Sequence, residues 1–153
     1  MWSFRGCFDD EKAFELVISF PQLPEGTNVI GVGIDQIEVS RIRESIDRHG
    51  EAFLSKVFTP KEKTFCMDRK DPAPCLAARF AAKEAASKAL GTGIGKEFGW
   101  LDLEVEKEEN GQPYAVFSDQ VKPFLRQKNA GSALLSLSHL DGIASAIVVL
   151  IKK

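Results

Sequence analysis

Ala78-Arg79-Phe80-Ala81-Ala82-Lys83-Glu84-Ala85-Ala86-Ser87-Lys88-Ala89-Leu90-Gly91 sets charged groups at fixed intervals on a strongly helical background. Alanine and leucine are the best helix formers, Asp71-Pro72 supplies a cap and a first-turn proline, and Gly91 is a helix terminator. One continuous helix is the expectation. At 3.6 residues per turn Glu84 and Lys88 share a face, and Lys83, about 100° around the axis, points along its edge. A glutamate four residues before a lysine is also a common solvated pair, contributing only about 0.3 to 0.5 kcal/mol. A functional role for this pair therefore rests on the rest of the chain.

Upstream, Val29 to Ile34 reads as a buried strand in which Ile30, Val32 and Ile34 alternate with Gly31 and Gly33, whose missing side chains let another backbone approach. The strand is expected to end at Asp35. From Val39 the period changes to helical, with Val39, Ile42 and Ile46 on one side and Arg41, Arg43 and Arg48 over the exposed sides. Thr59-Pro60-Lys61-Glu62 has the cap, first-turn proline and reciprocal carboxylate of a capping box, so it opens a further helix. Downstream, Gly91-Thr92-Gly93-Ile94-Gly95 is either a phosphate-approaching loop or a plain turn. Leu101, Leu103 and Val105 then alternate with Asp102, Glu104 and Glu106, and Asn110-Gly111 turns the chain into Pro113 to Phe117 as a hairpin. Ser118 caps a short helix expected through Leu125 and limited by Pro123, and Ala133 to Ser138 and Ile143 to Ile151 form two strands around Asp141-Gly142. The fold class is α+β. Before all of this, Phe14, Leu16, Ile18 and Phe20 alternate like a strand, and Pro21 to Asn28 looks like a connector.

At 153 residues and 44% hydrophobic content the chain supports one core rather than two domains. Its net charge of -2 conceals an asymmetry, because residues 41 to 88 hold 11 Lys or Arg against 7 Asp or Glu. A basic middle suits an anionic partner or a phosphate ligand as well as it suits a solvated surface. No basic run with interleaved aromatics points to nucleic acid. Cys7, Cys66 and Cys75 form no CxxC pair and leave one unpaired under any disulfide scheme, which favours a reducing compartment, the cytoplasm. Asp9, Asp10, Glu11, Lys12 and Glu15 interrupt what would be a signal peptide's apolar region, and no run approaches transmembrane length.

Asp35 and Glu84 together offer two hard oxygen ligands for Mg²⁺, an ion that keeps most of its octahedron for water and substrate phosphates. Such a pair suits phosphoryl transfer. His139, ending Ser136-Leu137-Ser138-His139, is open to a structural or a catalytic reading.

Six motifs then occur in a telling order: Gly31-Val32-Gly33-Ile34-Asp35, Val57 to Glu62, Ala78 to Gly93, Trp100 to Val105, Gly111-Gln112-Pro113 and Ser136 to His139. In that order the chain closely resembles the holo-acyl-carrier-protein synthases, the small phosphopantetheinyl transferases. The resemblance starts near Asn28 and runs to the end, 125 of 153 residues, dividing the chain into an amino-terminal extension (1–28) and a transferase domain (29–153). It implies an antiparallel sheet packed against helices, and a homotrimer with active sites between subunits. It also implies transfer of 4′-phosphopantetheine from coenzyme A to a serine of apo acyl carrier protein, in support of fatty acid biosynthesis. By resemblance, Asp35 and Glu84 bind Mg²⁺, Lys88 reaches the pyrophosphate, Arg79 and His139 lie near the nucleotide 3′-phosphate, and Arg41 meets the acidic helix of the carrier. Arg43 and Arg48 are equally readable as solvated. Asp35, Glu84 through a metal-bound water, or a water alone are the candidates for general base. Where the larger two-lobed transferases carry a third acidic ligand, this chain has Ile37, which fits the small type. Two other classes compete: a noncatalytic coenzyme A or carrier-binding module, and a metal-dependent phosphodiester hydrolase built on the same carboxylates.

Overall fold

In the computed structural model, which describes Gly26 and residues 28–153, strand β1 (Val29–Glu38) pairs antiparallel with β5 (Ile143–Lys152), and β5 pairs antiparallel with β4 (Ala130–His139). The sheet order is therefore β1-β5-β4. A separate hairpin joins β2 (Leu103–Lys107) and β3 (Pro113–Phe117). Among the described residues four helices accompany the strands: α1 (Val39–Val57), α2 (Pro60–Met67), α3 (Ala73–Leu90) and α4 (Lys122–Gln127). The α+β reading and the antiparallel sheet against helices are borne out. The strand expected over Phe14 to Phe20 lies outside the described residues.

The decisive packing event is α3 lying across β1 and β5. Ala77, Ala78, Ala81, Ala82, Ala85 and Ala86 are all buried, so α3 is a narrow rod that neighbours contact on nearly every side. On β1 the approach is closer still. A Cβ at Gly33 would sit 1.9 Å from the Ala85 carbonyl oxygen, and one at Gly31 would sit 2.2 Å from that of Ala89. The two glycines thus bring helix backbone and strand backbone into direct contact, as their alternation in sequence suggested. Gly91, at φ 75, closes α3 in the left-handed conformation that favours glycine.

Several boundaries differ from expectation for reasons that lie far away in sequence. The first strand does not end at Asp35: Asp35 pairs with Ala146, Ile37 with Ala144 and Glu38 with Ile143, so β5 carries the ladder three residues further. Trp100–Asp102 forms a 3-10 turn rather than strand, because the Asp102 carboxylate accepts from the Gly99 amide at 2.8 Å and its own amide donates to the Gly99 carbonyl. Ser118 does accept from the Val121 amide, but α4 begins only at Lys122, with Pro123 in its first turn rather than limiting its end. The capping box at Thr59 forms as read. The Gly91–Gly95 segment is a plain turn: the amides of Thr92 and Gly93 donate back to the Ser87 carbonyl, and that of Gly95 to Phe98. Those amides are spent on closing the helix.

The glycine contact yields a direct test. Gly33→Ala forces a methyl group into the Ala85 carbonyl and is expected to cost about 3 kcal/mol or more, read as a lowered midpoint in urea unfolding, whereas the same change at Gly95, which has open space, is expected to cost far less.

Candidate active site

The close approach of α3 to β1 gathers the first cluster. Asp35 lies on the face of β1 that meets the helix, and Lys88 reaches it from the last turn of α3, donating to the Asp35 carboxylate at 2.7 Å and to the Ile34 carbonyl at 3.0 Å. Glu84, half-buried one helical turn earlier, sits close enough to feel both. Burial first and the negative charge of Asp35 second raise the Glu84 carboxyl above its usual range, while Lys88 pulls it back. The three residues predicted to carry the chemistry are therefore brought together. Two hard carboxylates and one ammonium group form a site that favours a divalent cation and a polyanion. Among the described residues no group of three or more His, Cys, Asp or Glu side chains is placed to hold a metal ion.

A second cluster lines a cleft of about 340 Å³ whose walls include Phe65, Arg69, Cys75, Arg79, Lys107 and His139. Arg79 is almost fully buried at 3% exposure. Its Nη1 donates to the Cys75 carbonyl at 3.3 Å and the Cys75 sulfur at 3.0 Å, and among the described residues its Nε has no partner. Three cations converge on one aromatic ring, with Arg79 4.5 Å, Arg69 4.8 Å and Lys107 5.6 Å from the Phe65 centroid. Burial, only partly opposed by Glu62, makes the Arg79 charge harder to hold, and Arg69 adds to that. Arg79 and His139 were expected from the sequence; Phe65, Arg69 and Lys107 were not, since nothing in their spacing brings helix α2, the loop after it and the β2–β3 hairpin to one place. The cleft lining includes none of Asp35, Glu84 and Lys88. The carboxylate cluster and the cleft are thus two separate clusters on one chain.

Lys83 departs from its expected place. It does not run along the edge of the Glu84 face but is fully buried, its ammonium group donating to Glu62 at 2.9 Å, to the Trp100 carbonyl at 2.7 Å and to the Leu103 carbonyl at 2.5 Å. Glu62 is as buried, and its carboxylate accepts from the Thr59 amide at 3.0 Å and the Val105 amide at 2.9 Å. Burial lowers the Lys83 pKa and Glu62 opposes that shift. Every proton and both oxygens are satisfied, so the pair bolts α3 to α2 and β2 one residue before Glu84. The capping-box glutamate accordingly has a second role that the local motif did not announce.

The basic helix divides as well. Arg43 forms a bidentate pair with Asp71 at 2.6 and 2.7 Å, tying α1 to the start of α3, and Arg48 lies 3.8 Å from Glu44. Arg41 is exposed and, among the described residues, takes part in no salt bridge. Ile37 is buried in the core, where no third acidic ligand stands. The cysteine reading left room for one bridge, and the structure forms it between Cys66 and Cys75. No helix among the described residues is long and apolar enough to cross a membrane.

Comparison with known proteins follows the same lines. Residues 31–144 match the family model of the 4′-phosphopantetheinyl transferase superfamily. A holo-[acyl-carrier-protein] synthase of Trichlorobacter lovleyi is 43% identical over 122 residues, covering 80% of this chain and 97% of the relative. That of Protochlamydia amoebophila is 46% identical over 121 residues, covering 78% and 96%. Among solved structures, the Neisseria meningitidis synthase superposes with a TM-score of 0.76 at 30% identity, covering 81% of this chain and 99% of the other. The Helicobacter pylori synthase in complex with coenzyme A gives 0.70 at 36% identity, covering 78% and 98%.

The buried pair makes a separable prediction. Lys83→Ala strands the Glu62 carboxylate and is expected to cost about 3 to 5 kcal/mol in denaturant unfolding, while Lys83→Met combined with Glu62→Leu is expected to recover most of that loss.

Proposed function

The chain belongs to the 4′-phosphopantetheinyl transferase superfamily, and from that premise we propose how its residues divide the reaction. Like the holo-[acyl-carrier-protein] synthases it matches over nearly their whole length, it transfers 4′-phosphopantetheine from coenzyme A to a serine of apo acyl carrier protein, leaving adenosine 3′,5′-bisphosphate. The observation that carries the site assignment is the joining of Asp35, Glu84 and Lys88 at one helix–strand contact. The reading takes residues 29–153 as the transferase domain and 1–28 as an extension of it, and assigns the activity to fatty acid biosynthesis. A cytoplasmic location belongs to the same proposal, and there the Cys66–Cys75 bridge would be a reducible one.

The donor set fits magnesium. Asp35 and Glu84 are two hard oxygen donors, the Glu84 carboxyl raised by burial first and by the Asp35 charge second, and they would hold an ion that prefers few protein ligands. When bound, Mg²⁺ neutralises pyrophosphate charge and polarises the phosphorus under attack. Lys88 orients the Asp35 carboxylate and presents its one remaining N–H to the pyrophosphate, where it stabilises negative charge on the departing bisphosphate. In the cleft, the partnerless Nε of Arg79 is a buried donor in need of an acceptor, and with His139, Arg69 and Lys107 it offers the nucleotide's 3′-phosphate a cationic seat.

The trimer is part of the proposal. Val32, Ile34 and Leu134 stand 57%, 65% and 61% exposed on the sheet face opposite α3, an apolar surface that a second copy would cover. Joining copies would also bring one chain's carboxylate cluster to another's cleft, in keeping with the separate linings that make each cluster a half-site in this reading. Arg41, in no ion pair among the described residues where Arg43 is committed, is an exposed cation that would meet an acidic carrier.

The first test is intact mass of an apo acyl carrier protein after incubation with the chain, coenzyme A and Mg²⁺. A gain of one phosphopantetheine that chelator abolishes is expected; no gain with coenzyme A still bound would favour a binding module, and coenzyme A consumption without carrier a hydrolase. Glu84→Gln should abolish transfer without loss of stability. A carboxyl raised on folding contributes stability only below its unfolded pKa and loses it as pH rises through the folded one, so at neutral pH the ionised Glu84 weakens the fold and the amide relieves it. Thermal unfolding at pH 7 should show the variant at or above the parent. Arg41→Glu should raise KM for the carrier about tenfold or more with KM for coenzyme A unchanged, and an unaltered carrier KM removes Arg41 from docking.

A further inference from the structure

The Cys66–Cys75 bridge takes no part in the transfer, yet it stands directly behind the phosphate cleft. Cys66 lies on α2 and is fully buried; Cys75 lies in the first turns of α3, 7% exposed, and forms part of the cleft wall. Both surfaces that hold the Arg79 guanidinium flank this bond, at the end of α2 away from the Glu62–Lys83 pair. On one side Cys75 supplies the sulfur and the carbonyl that accept from Nη1, and on the other Phe65, the residue before Cys66, supplies the ring that Arg79 faces at 4.5 Å. A bonded pair of sulfurs keeps α2 and α3 at one separation. Two thiols must move apart, and in a close-packed interior that displaces either Cys75 with its acceptors or Phe65 with its ring. An intracellular disulfide is, as a class, redox-active rather than permanent.

We propose that the Cys66–Cys75 disulfide is a redox-sensitive positioning device for the nucleotide cleft, holding Arg79 ready for a phosphate when oxidised and releasing it when reduced. The inference rests on the reading of the cleft as the seat of the 3′-phosphate. The reductant is a dithiol: one of its thiolates attacks the Cys75 sulfur from the cleft side, forming a mixed disulfide and expelling the Cys66 thiolate, which takes up a proton. Its second thiol then displaces Cys75 as a thiol, so that two electrons and two protons pass to the protein and the reductant leaves as a cyclic disulfide. Because Cys66 is sealed in the core, the approach is through the cleft, and a nucleotide seated there shields the bond.

The test uses the full wild-type chain, oxidised or reduced with dithiothreitol and verified by the two-hydrogen change in intact mass. Calorimetry should show adenosine 3′,5′-bisphosphate binding about tenfold more weakly to the reduced form, the loss of one charge-assisted hydrogen bond, with adenosine 5′-monophosphate binding unchanged. Saturating adenosine 3′,5′-bisphosphate should slow reduction of the oxidised chain severalfold, as followed by mass. Equal affinities in the two redox states, equal losses for both nucleotides, or reduction indifferent to nucleotide would each overturn the proposal. Arg79→Ala separates the two ideas. If it weakens binding of adenosine 3′,5′-bisphosphate while redox state does not, the cleft reading stands and the switch fails; if it has no effect, the cleft reading fails first.

Discussion

The contact on which the rest depends is backbone against backbone, α3 lying on β1 at Gly31 and Gly33. An ordinary side chain at either position would hold the helix away by the thickness of a methyl group, and Lys88 would no longer reach the Asp35 carboxylate and the Ile34 carbonyl together. Catalytic geometry tolerates displacements well below that scale. The glycines are therefore part of the site although they offer no functional group, and the alanines facing them are the other half of the same device. Small residues on both partners convert a packing surface into a distance constraint.

A helix pressed onto a sheet on one side still needs its rotation fixed from the other. The Glu62–Lys83 pair does this, with its ammonium and carboxylate saturated by carbonyls and amides from α2, β2 and the turn at Trp100. Adjacent residues on α3 thus meet opposite fates: Lys83 is desolvated and bolted, and Glu84 is left at the edge with its carboxyl raised by burial and by Asp35. The rigid anchor and the perturbed ligand are consecutive, so an error in the first is transmitted to the second through one peptide unit.

What the sequence could say about this arrangement was whatever is local. The capping box at Thr59, the Asn110-Gly111 hairpin, the Gly91 terminator and the glycine alternation in β1 are each decided within a few residues, and each stands in the structure. Asp35 was misplaced at a strand end because the partners that extend β1 past it, Ala146 to Ile143, lie more than a hundred residues away. Lys83 was assigned to the surface because helical periodicity gives an angle and not a neighbour; only the arrival of Glu62 and two carbonyls turns that angle into a core position. Phe65, Arg69 and Lys107 carry no shared motif and become a cluster only when α2 and the hairpin meet. The Cys66–Cys75 pair was hidden for a related reason, since a spacing of nine residues across a helix junction matches no familiar cysteine pattern. The catalytic trio was legible chiefly through resemblance, while its geometry came from contacts the sequence does not encode locally.

The cleft carries uncompensated positive charge in the unliganded chain. Arg69, Arg79 and Lys107 converge on one ring, so their mutual repulsion is only softened by the aromatic face, and the buried Nε of Arg79 lacks an acceptor. An unsatisfied buried donor costs about 1 to 3 kcal/mol, and like charges add to that. Asp71, on the rim of the same cleft, is committed to Arg43, so it offers no relief. The carboxylate cluster has the complementary deficit, two acids sharing one lysine. Each half-site is thus destabilised in the sense that its missing partner would correct: phosphate for the cations, a divalent ion for the acids. In the proposed reading a substrate carrying several phosphates along one molecule satisfies the first and brings negative charge to the second, where the acids would hold a divalent ion, and the proposed assembly of copies lets one substrate reach both.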